Sequence, residues 1–366
     1  MINFFYQDYN KQILNGIYKK FKKDTWVNGN IIKVFESNLQ KYLKTNYKVS
    51  TCNSGSDALI LAFLLDWKKN KDIYLTTPIS YMASSSIPKF LGLKLIFIDV
   101  EKDNFLISLD KLEDFLKNCP IIIKKRIRGI INVELFGSTV DLQRLRKIAK
   151  KYNLSLIGDC AQSLGTCYKS KSTISYYDYS ITSFYPTKVL SCYGDGGAIF
   201  LKKNYHKAIL LKNNGHTQSD KSTCKVLGIN SRLDSFQAFV LNEKLPKLKD
   251  ILNKKKIFTK ILSKNLNSNF KIPVFNNSID ANNYIFAFYI TPKHRKKFLN
   301  FMKKNKVECK IFYEKLLSKN KLLKPIYKTN LKNAENCCKS LVCIPNHDKL
   351  KIKEVKKIAN IINNFN

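Results

Sequence analysis

Between residues 129 and 159 the sequence alternates a β-branched run, a helical repeat and a second buried-strand run, and this leaves few folds open. "GIINVELFG" (Gly129 to Gly137) is an apolar run closed by glycine. Asp141 then stands where a helix cap belongs, and Leu142, Leu145, Ile148 and Ala149 recur at helical spacing. Asn153 suits the helix exit, and "LSLIGD" (Leu154 to Asp159) is the next continuous apolar strand. Such an order predicts an α/β fold with a mostly parallel sheet flanked by helices.

The pattern extends both ways. "SDALILAFLLDW" (Ser56 to Trp67) is an apolar helix that begins at a Gly-Ser-Asp turn, and "KLIFIDV" (Lys94 to Val100) is a further strand. Around "KLPKLKD" (Lys244 to Asp250) the alternation stops and a long lysine-rich amphipathic segment follows. Beyond it the pattern predicts strands over Tyr284 to Ile290 and Val307 to Tyr313, with a helix around Phe298, Phe301 and Met302 between them. A last helix carries Ile352, Val355, Ile358 and Ile362 on one face. We expect a large domain over residues 1–245 and a smaller C-terminal α/β domain over 246–366.

Charge is the feature that points elsewhere. The net charge is +38, yet of 65 Lys and Arg only six are arginine (Arg126, Arg128, Arg144, Arg146, Arg232 and Arg295). Base readout and bidentate phosphate recognition favour arginine, and no nucleic-acid module is recognisable, so no nucleic-acid partner is expected. A lysine-rich polyanion binder without catalysis is the alternative from another class. The ten cysteines form no Cys-x-x-Cys pair and, with four histidines, give no metal-ligand spacing. They are expected to be reduced thiols, with no metal. No run suits a signal peptide or a membrane span, so a cytoplasmic location without membrane attachment is expected.

"SITSFYPTKVLSCYGDGGAIF" (Ser180 to Phe200) sets one lysine, Lys188, in a glycine-rich turn between two strand-like runs. A surface lysine needs no such setting; one that bonds covalently to an aldehyde does. Pyridoxal 5′-phosphate asks a protein for that lysine, an anion for its ring nitrogen and a cradle for its phosphate. Asp159 ends the strand "LSLIGD", where open α/β sheets place ligands. "NSGSDAL" (Asn53 to Leu59) offers Gly55 and Ser56 at a helix start, whose free N–H groups suit a phosphate, and Ser183 lies close to the lysine turn. Each feature alone also reads as an ordinary cap, turn or surface residue. Together they fit one cofactor.

The runs "GDCAQSLGTCYKSK", "SFYPTKVLSCYGDGGAIF" and "GINSRLDSFQAFVL" resemble the DegT-type nucleotide-sugar aminotransferases. These are fold-type I enzymes that use pyridoxal phosphate. The likeness is dense from Asn28 to Leu245 and looser through "AENCCKSLVCIPNH". It implies that Lys188 is the lysine bonded to the cofactor and Asp159 the partner of its ring nitrogen. Gln162 would lie near the ring, Gly55, Ser56 and Ser183 at the phosphate, and Tyr81 of "TPISYMAS" against the ring face. Asn230 would reach the phosphate in a neighbouring subunit, which implies a homodimer with shared active sites. Arg232 would meet substrate anions at the same interface.

The implied reaction moves an amino group from glutamate, leaving 2-oxoglutarate, to a keto-sugar nucleotide, for surface polysaccharide or glycan biosynthesis. "YGDGGAI" with "NSRLD" is more like the members that aminate C3 of UDP- or dTDP-linked 3-keto sugars than those that act at C4 of 4-keto-6-deoxy sugars. Where many relatives have His-Tyr-Pro, this chain has Phe312-Tyr313-Glu314, which bears on a uronate subtype; Tyr313 is a candidate for the substrate pocket. A dehydratase on this scaffold would carry histidine at the lysine position, and a non-catalytic regulator would not need Lys188, Asp159 and Gln162 together.

Overall fold

The computed structural model describes residues 1–6, 9–22, 24–217 and 219–365. Among the described residues the strands are β1 (Lys48–Cys52), β2 (Ile73–Thr76), β3 (Lys94–Phe97), β4 (Ile127–Val133), β5 (Ser155–Asp159), β6 (Cys167–Tyr168), β7 (Lys171–Ser172), β8 (Tyr179–Ser183), β9 (Gly197–Leu201), β10 (Ile279–Asp280), β11 (Phe286–Tyr289) and β12 (Leu341–Ile344). Seven of them form one sheet in the order β1-β9-β8-β5-β4-β2-β3. Only β9 runs against the rest, paired antiparallel to β1 and β8. The α/β class with a mostly parallel sheet is therefore as the alternation predicts.

Its strands read as continuous apolar runs because both faces are covered. The helix Gly55–Asp66 packs on β8 and β9 and is apolar nearly all round. That composition suits a helix enclosed between the sheet and its neighbour Ala83–Phe90. Asp141 caps the helix Leu142–Lys151, its Oδ1 accepting from the N–H of Arg144 at 2.9 Å. Asn153 then takes the left-handed conformation, φ 51°, that lets the chain turn into β5.

Beyond the sheet, the lysine-rich segment is the helix Leu248–Asn265, which buries Leu248, Leu252, Phe258 and Leu262. A third apolar cluster joins β11, β12, the helix Arg295–Lys304 and the helix Ile352–Asn363. Two expectations fail here. The segment Val307 to Tyr313 is not a strand; it makes only single bridges, Val307 with Ile2 and Lys310 with Cys343. The chain leaves the small sheet after that second bridge, because Phe312 and Tyr313 turn into a cavity instead. Ile352 is 53% exposed, since it opens the helix and lies ahead of the face that Val355, Ile358 and Ile362 bury. Among the described residues no helix is long and apolar enough to cross a membrane.

Candidate active site

A cavity of about 530 Å³ opens at the carboxyl ends of the parallel strands. β1, β4, β5 and β8 all deliver residues to it: Ser54 to Ser56 after β1, Glu134 after β4, Asp159 ending β5 and Ser183 ending β8. Nothing else in an open α/β sheet offers so many chain ends at one place.

At one end is the start of the helix Gly55–Asp66. Ser54 caps it, its Oγ accepting from the N–H of Asp57 at 3.0 Å, which leaves the N–H groups of Gly55 and Ser56 without an intrahelical acceptor. The backbone here is packed too closely for side chains. A Cβ on Gly55 would lie 2.8 Å from Cβ of Ser183, and one on Gly197 would lie 2.4 Å from the carbonyl of Ser54. Glycine at 197 thus lets β9 press against the turn, and Ser183 borders the same end. Positive helix-end charge and bare N–H groups make this an anion seat.

The cavity wall also carries Asp159, only 7% exposed. Its Oδ2 accepts from Ser84 Oγ at 2.6 Å and its Oδ1 from the N–H of Ala161 at 3.1 Å. Burial pushes the carboxyl up, and these hydrogen bonds with the attraction of Lys188 oppose that rise. Ser80 in turn meets Ser84, Oγ to Oγ, at 2.7 Å. The serine pair was not foreseen, for "SYMASSS" holds four serines and no spacing marks two of them as supports for a carboxylate 75 residues on.

Lys188 is half-buried, on the loop between β8 and β9. Burial brings its amine down to about 8, against a smaller upward pull from Asp159. Its Nζ lies 5.0 Å from the ring centre of Tyr284. That ring is fixed on two sides: Tyr284 Oη lies 3.2 Å from Thr187 Oγ1, and the buried Lys255 Nζ donates to the Tyr284 carbonyl at 3.1 Å. Gln162 joins the site through its side chain, accepting from the N–H of Phe136 at 2.8 Å and donating to Tyr313 Oη at 3.3 Å. Tyr81 lines the mouth and is 63% exposed, so an aromatic face is available to something entering.

Asn230 and Arg232 do not line this cavity. Between them, Ser231 is buried and bonds the turn that leads into the helix Gly55–Asp66, accepting from the N–H of Asn53 at 3.2 Å and donating to Asp57 Oδ2 at 2.7 Å. Asn230 is exposed, while Arg232 donates from Nη1 to Asn213 Oδ1 at 3.0 Å and keeps a buried Nε with no partner. The segment is thus tied to the anion seat while Asn230 faces outward. Residues that the sequence reading missed include Phe5, Tyr284 and Lys310, which share the cavity wall with Phe312.

Residues 7–363 match the DegT/DnrJ/EryC1/StrS aminotransferase family. The chain is 31% identical over 233 residues to a UDP-2-acetamido-2-deoxy-3-oxo-D-glucuronate aminotransferase of Pseudomonas aeruginosa, a match covering 64% of this chain and 62% of that protein, so somewhat under two thirds of that relative's length. It is 27% identical over 373 residues to a UDP-4-amino-4,6-dideoxy-N-acetyl-beta-L-altrosamine transaminase of Campylobacter jejuni, over 99% of this chain and 96% of that one. Among solved structures it resembles a DegT DnrJ EryC1 StrS aminotransferase from Brucella abortus, with a TM-score of 0.88 and 25% identity over 96% and 94% of the two chains.

Proposed function

Since the chain belongs to the DegT/DnrJ/EryC1/StrS aminotransferase family, we propose that it transfers an amino group from glutamate to a keto-sugar carried on a nucleotide. Enzymes of this family use pyridoxal 5′-phosphate. The residues of the cavity fit that group: an anion seat too tight for a Cβ, a buried carboxyl and an amine lowered by burial all line it. This joint placement of Lys188, Asp159 and the Gly55 turn around one cavity is the observation that carries the proposal.

Gly55, Ser56 and Ser183 would hold the phosphate, Lys188 the aldehyde carbon, Asp159 the ring nitrogen, and Gln162 and Tyr81 the ring. Bound there, the cofactor supplies an electron-withdrawing ring that lowers the cost of removing a proton from the amino acid's Cα. The protein's part is to manage charge and protons. Asp159, set by Ser84, keeps a negative group against the ring nitrogen. Lys188, once its amine is free, takes the proton from one carbon and returns it to another, which needs the neutral base. A pKa of about 8 gives roughly 200-fold more neutral amine at pH 7 than an ordinary lysine near 10.4 would have.

That difference is measurable in the protein stripped of cofactor. The neutral amine attacks the aldehyde, so the capture rate should rise about tenfold per pH unit below the Lys188 value and level off above it. The midpoint is expected near 8, where Lys188 loses its proton. Stopped-flow absorbance at a series of pH values gives the curve, and a midpoint near that of free lysine would show that burial does not act on the amine.

For the acceptor we favour C3 of a UDP- or dTDP-linked 3-keto sugar, with C4 amination as the second reading. The relative from P. aeruginosa is named for a 3-oxo sugar and that from C. jejuni for a 4-amino sugar, so both classes lie among the relatives. A role in glycan biosynthesis, a cytoplasmic location and a homodimer in which Asn230 and Arg232 serve the partner's site complete the proposal. The outward-facing Asn230 beside the anion seat supports that last element. Incubating the holoenzyme with glutamate and a panel of 3-keto and 4-keto nucleotide sugars tests the proposal. Mass and NMR should find the amine at C3 of one of them; amination at C4 alone would favour the second reading, and no amino-sugar at all would reject both.

A further inference from the structure

Resting on that reading of the cavity, we infer that Lys310 is the residue that receives a carboxylate of the substrate. Among the described residues, two cations line the cavity, Lys188 and Lys310. The first is committed to the cofactor. Within this chain, an acidic group on anything that reacts there has Lys310 as its counter-charge.

The position of Lys310 is set by its backbone. Its N–H donates to the Cys343 carbonyl at 3.0 Å and its carbonyl accepts from the Cys343 N–H at 2.9 Å, so one bridge to β12 fixes the residue. In extended chain, residues two apart face the same side, and Lys310 and Phe312 both line the cavity. The amine lies 5.5 Å from the ring centre of Phe4 and 5.2 Å from that of Phe5. Those rings, brought across from the N-terminus, hold the ammonium by cation–π attraction in a partly dry setting. Among the described residues Glu308 is the carboxylate paired with it, at 3.4 Å. That carboxylate is held on its other oxygen by the N–H of Phe4 at 2.7 Å, so Lys310 keeps donors free for an incoming acid.

Lys310 and Phe312 thus put a cation and an aromatic ring two residues apart on the same wall. The carboxylate has two possible sources, the distal acid of the amino donor and the acid of a uronate sugar.

The test uses wild-type and Lys310→Gln holoenzyme in separate half-reactions. Glutamate is compared with alanine as donor, and a keto-uronate with its neutral keto-sugar counterpart as acceptor. Loss of a charge-assisted hydrogen bond raises KM for the acid-bearing reactant by roughly 10- to 100-fold with little change in kcat. The neutral counterpart is unaffected, and Lys310→Arg retains most of the binding. The arm that moves identifies the source. Calorimetric titration with glutarate and with UDP-glucuronate reads the same contrast without turnover. The inference is overturned if neither acid loses affinity, or if neutral reactants lose as much. A wild-type holoenzyme that converts no amino donor would instead overturn the proposed reaction, and the calorimetry would still decide the role of Lys310.

Discussion

Lys188→Ala is expected to abolish amine transfer to within the detection limit, a fall of at least about 10³-fold, given that general-base transfer alone contributes some 10²–10⁴-fold. The same change should remove the visible absorbance of the bound cofactor. The reason is positional. Lysine is the commonest charged side chain of this protein, yet Lys188 lines the cavity on the loop after β8, with its amine brought down to about 8 by burial and attracted by Asp159. A neighbouring lysine does not substitute. Lys255 is buried beside the same tyrosine and is also lowered to about 8, but its Nζ donates to the carbonyls of Tyr284 and Asn346 and is spent on holding them. Added methylamine should restore part of the activity of the alanine variant, because the cavity left at 188 has room for an amine. A variant that keeps normal transfer would place the chemistry on another residue.

Asp159→Asn should cost at least about 100-fold in the same assay while leaving the cofactor bound. Asparagine keeps the size of the side chain and one acceptor oxygen for Ser84, and loses the charge facing the ring nitrogen together with the oxygen that accepts from the N–H of Ala161. An amide cannot hold that nitrogen as a cation, so the ring draws electrons less strongly. The anion seat and Lys188 are untouched, so titration with the cofactor should show affinity reduced by much less than the rate. Ser84→Ala is the graded control: it removes one of two hydrogen bonds to the carboxyl and leaves Asp159 itself in place, for an expected loss of several-fold. If the asparagine variant transferred amines at the wild-type rate, the role given to Asp159 would be wrong.

How much of this was legible follows from the range of the interactions involved. The strand–helix–strand unit from β4 to β5, with Asp141 as cap and Asn153 as exit, is local, and local periodicity and capping chemistry specify it. Lys188, Asp159, Gly55 and Ser183 stand at strand ends and turns, which the pattern marks, and a parallel sheet collects such ends on one edge. Ser84 was not marked, because its partner is reached through the sheet and not along the chain. Phe5 and Lys310 were missed for the same reason: they meet across some 300 residues, where Ile2 bridges to Val307 and Phe4 bonds Glu308.

The misread strand over Val307 to Tyr313 shows the opposite failure. Its composition suits a strand, but Phe312 and Tyr313 gain more by closing the cavity beside Gln162 than by lengthening a two-stranded sheet. Asn230 and Arg232 are a third case. Sequence alone cannot say whether an exposed asparagine serves its own site or a partner's, and Ser231 shows only that the segment is pinned to the anion seat.

The covalent attachment point can be read directly. Borohydride reduction of the holoenzyme fixes the cofactor to whichever amine holds it, and peptide mass mapping then locates it. The account predicts the added mass on the peptide containing Lys188 and on no other lysine of the chain. The mass on a different residue, or spread over many surface lysines with Lys188 unmodified, would contradict it.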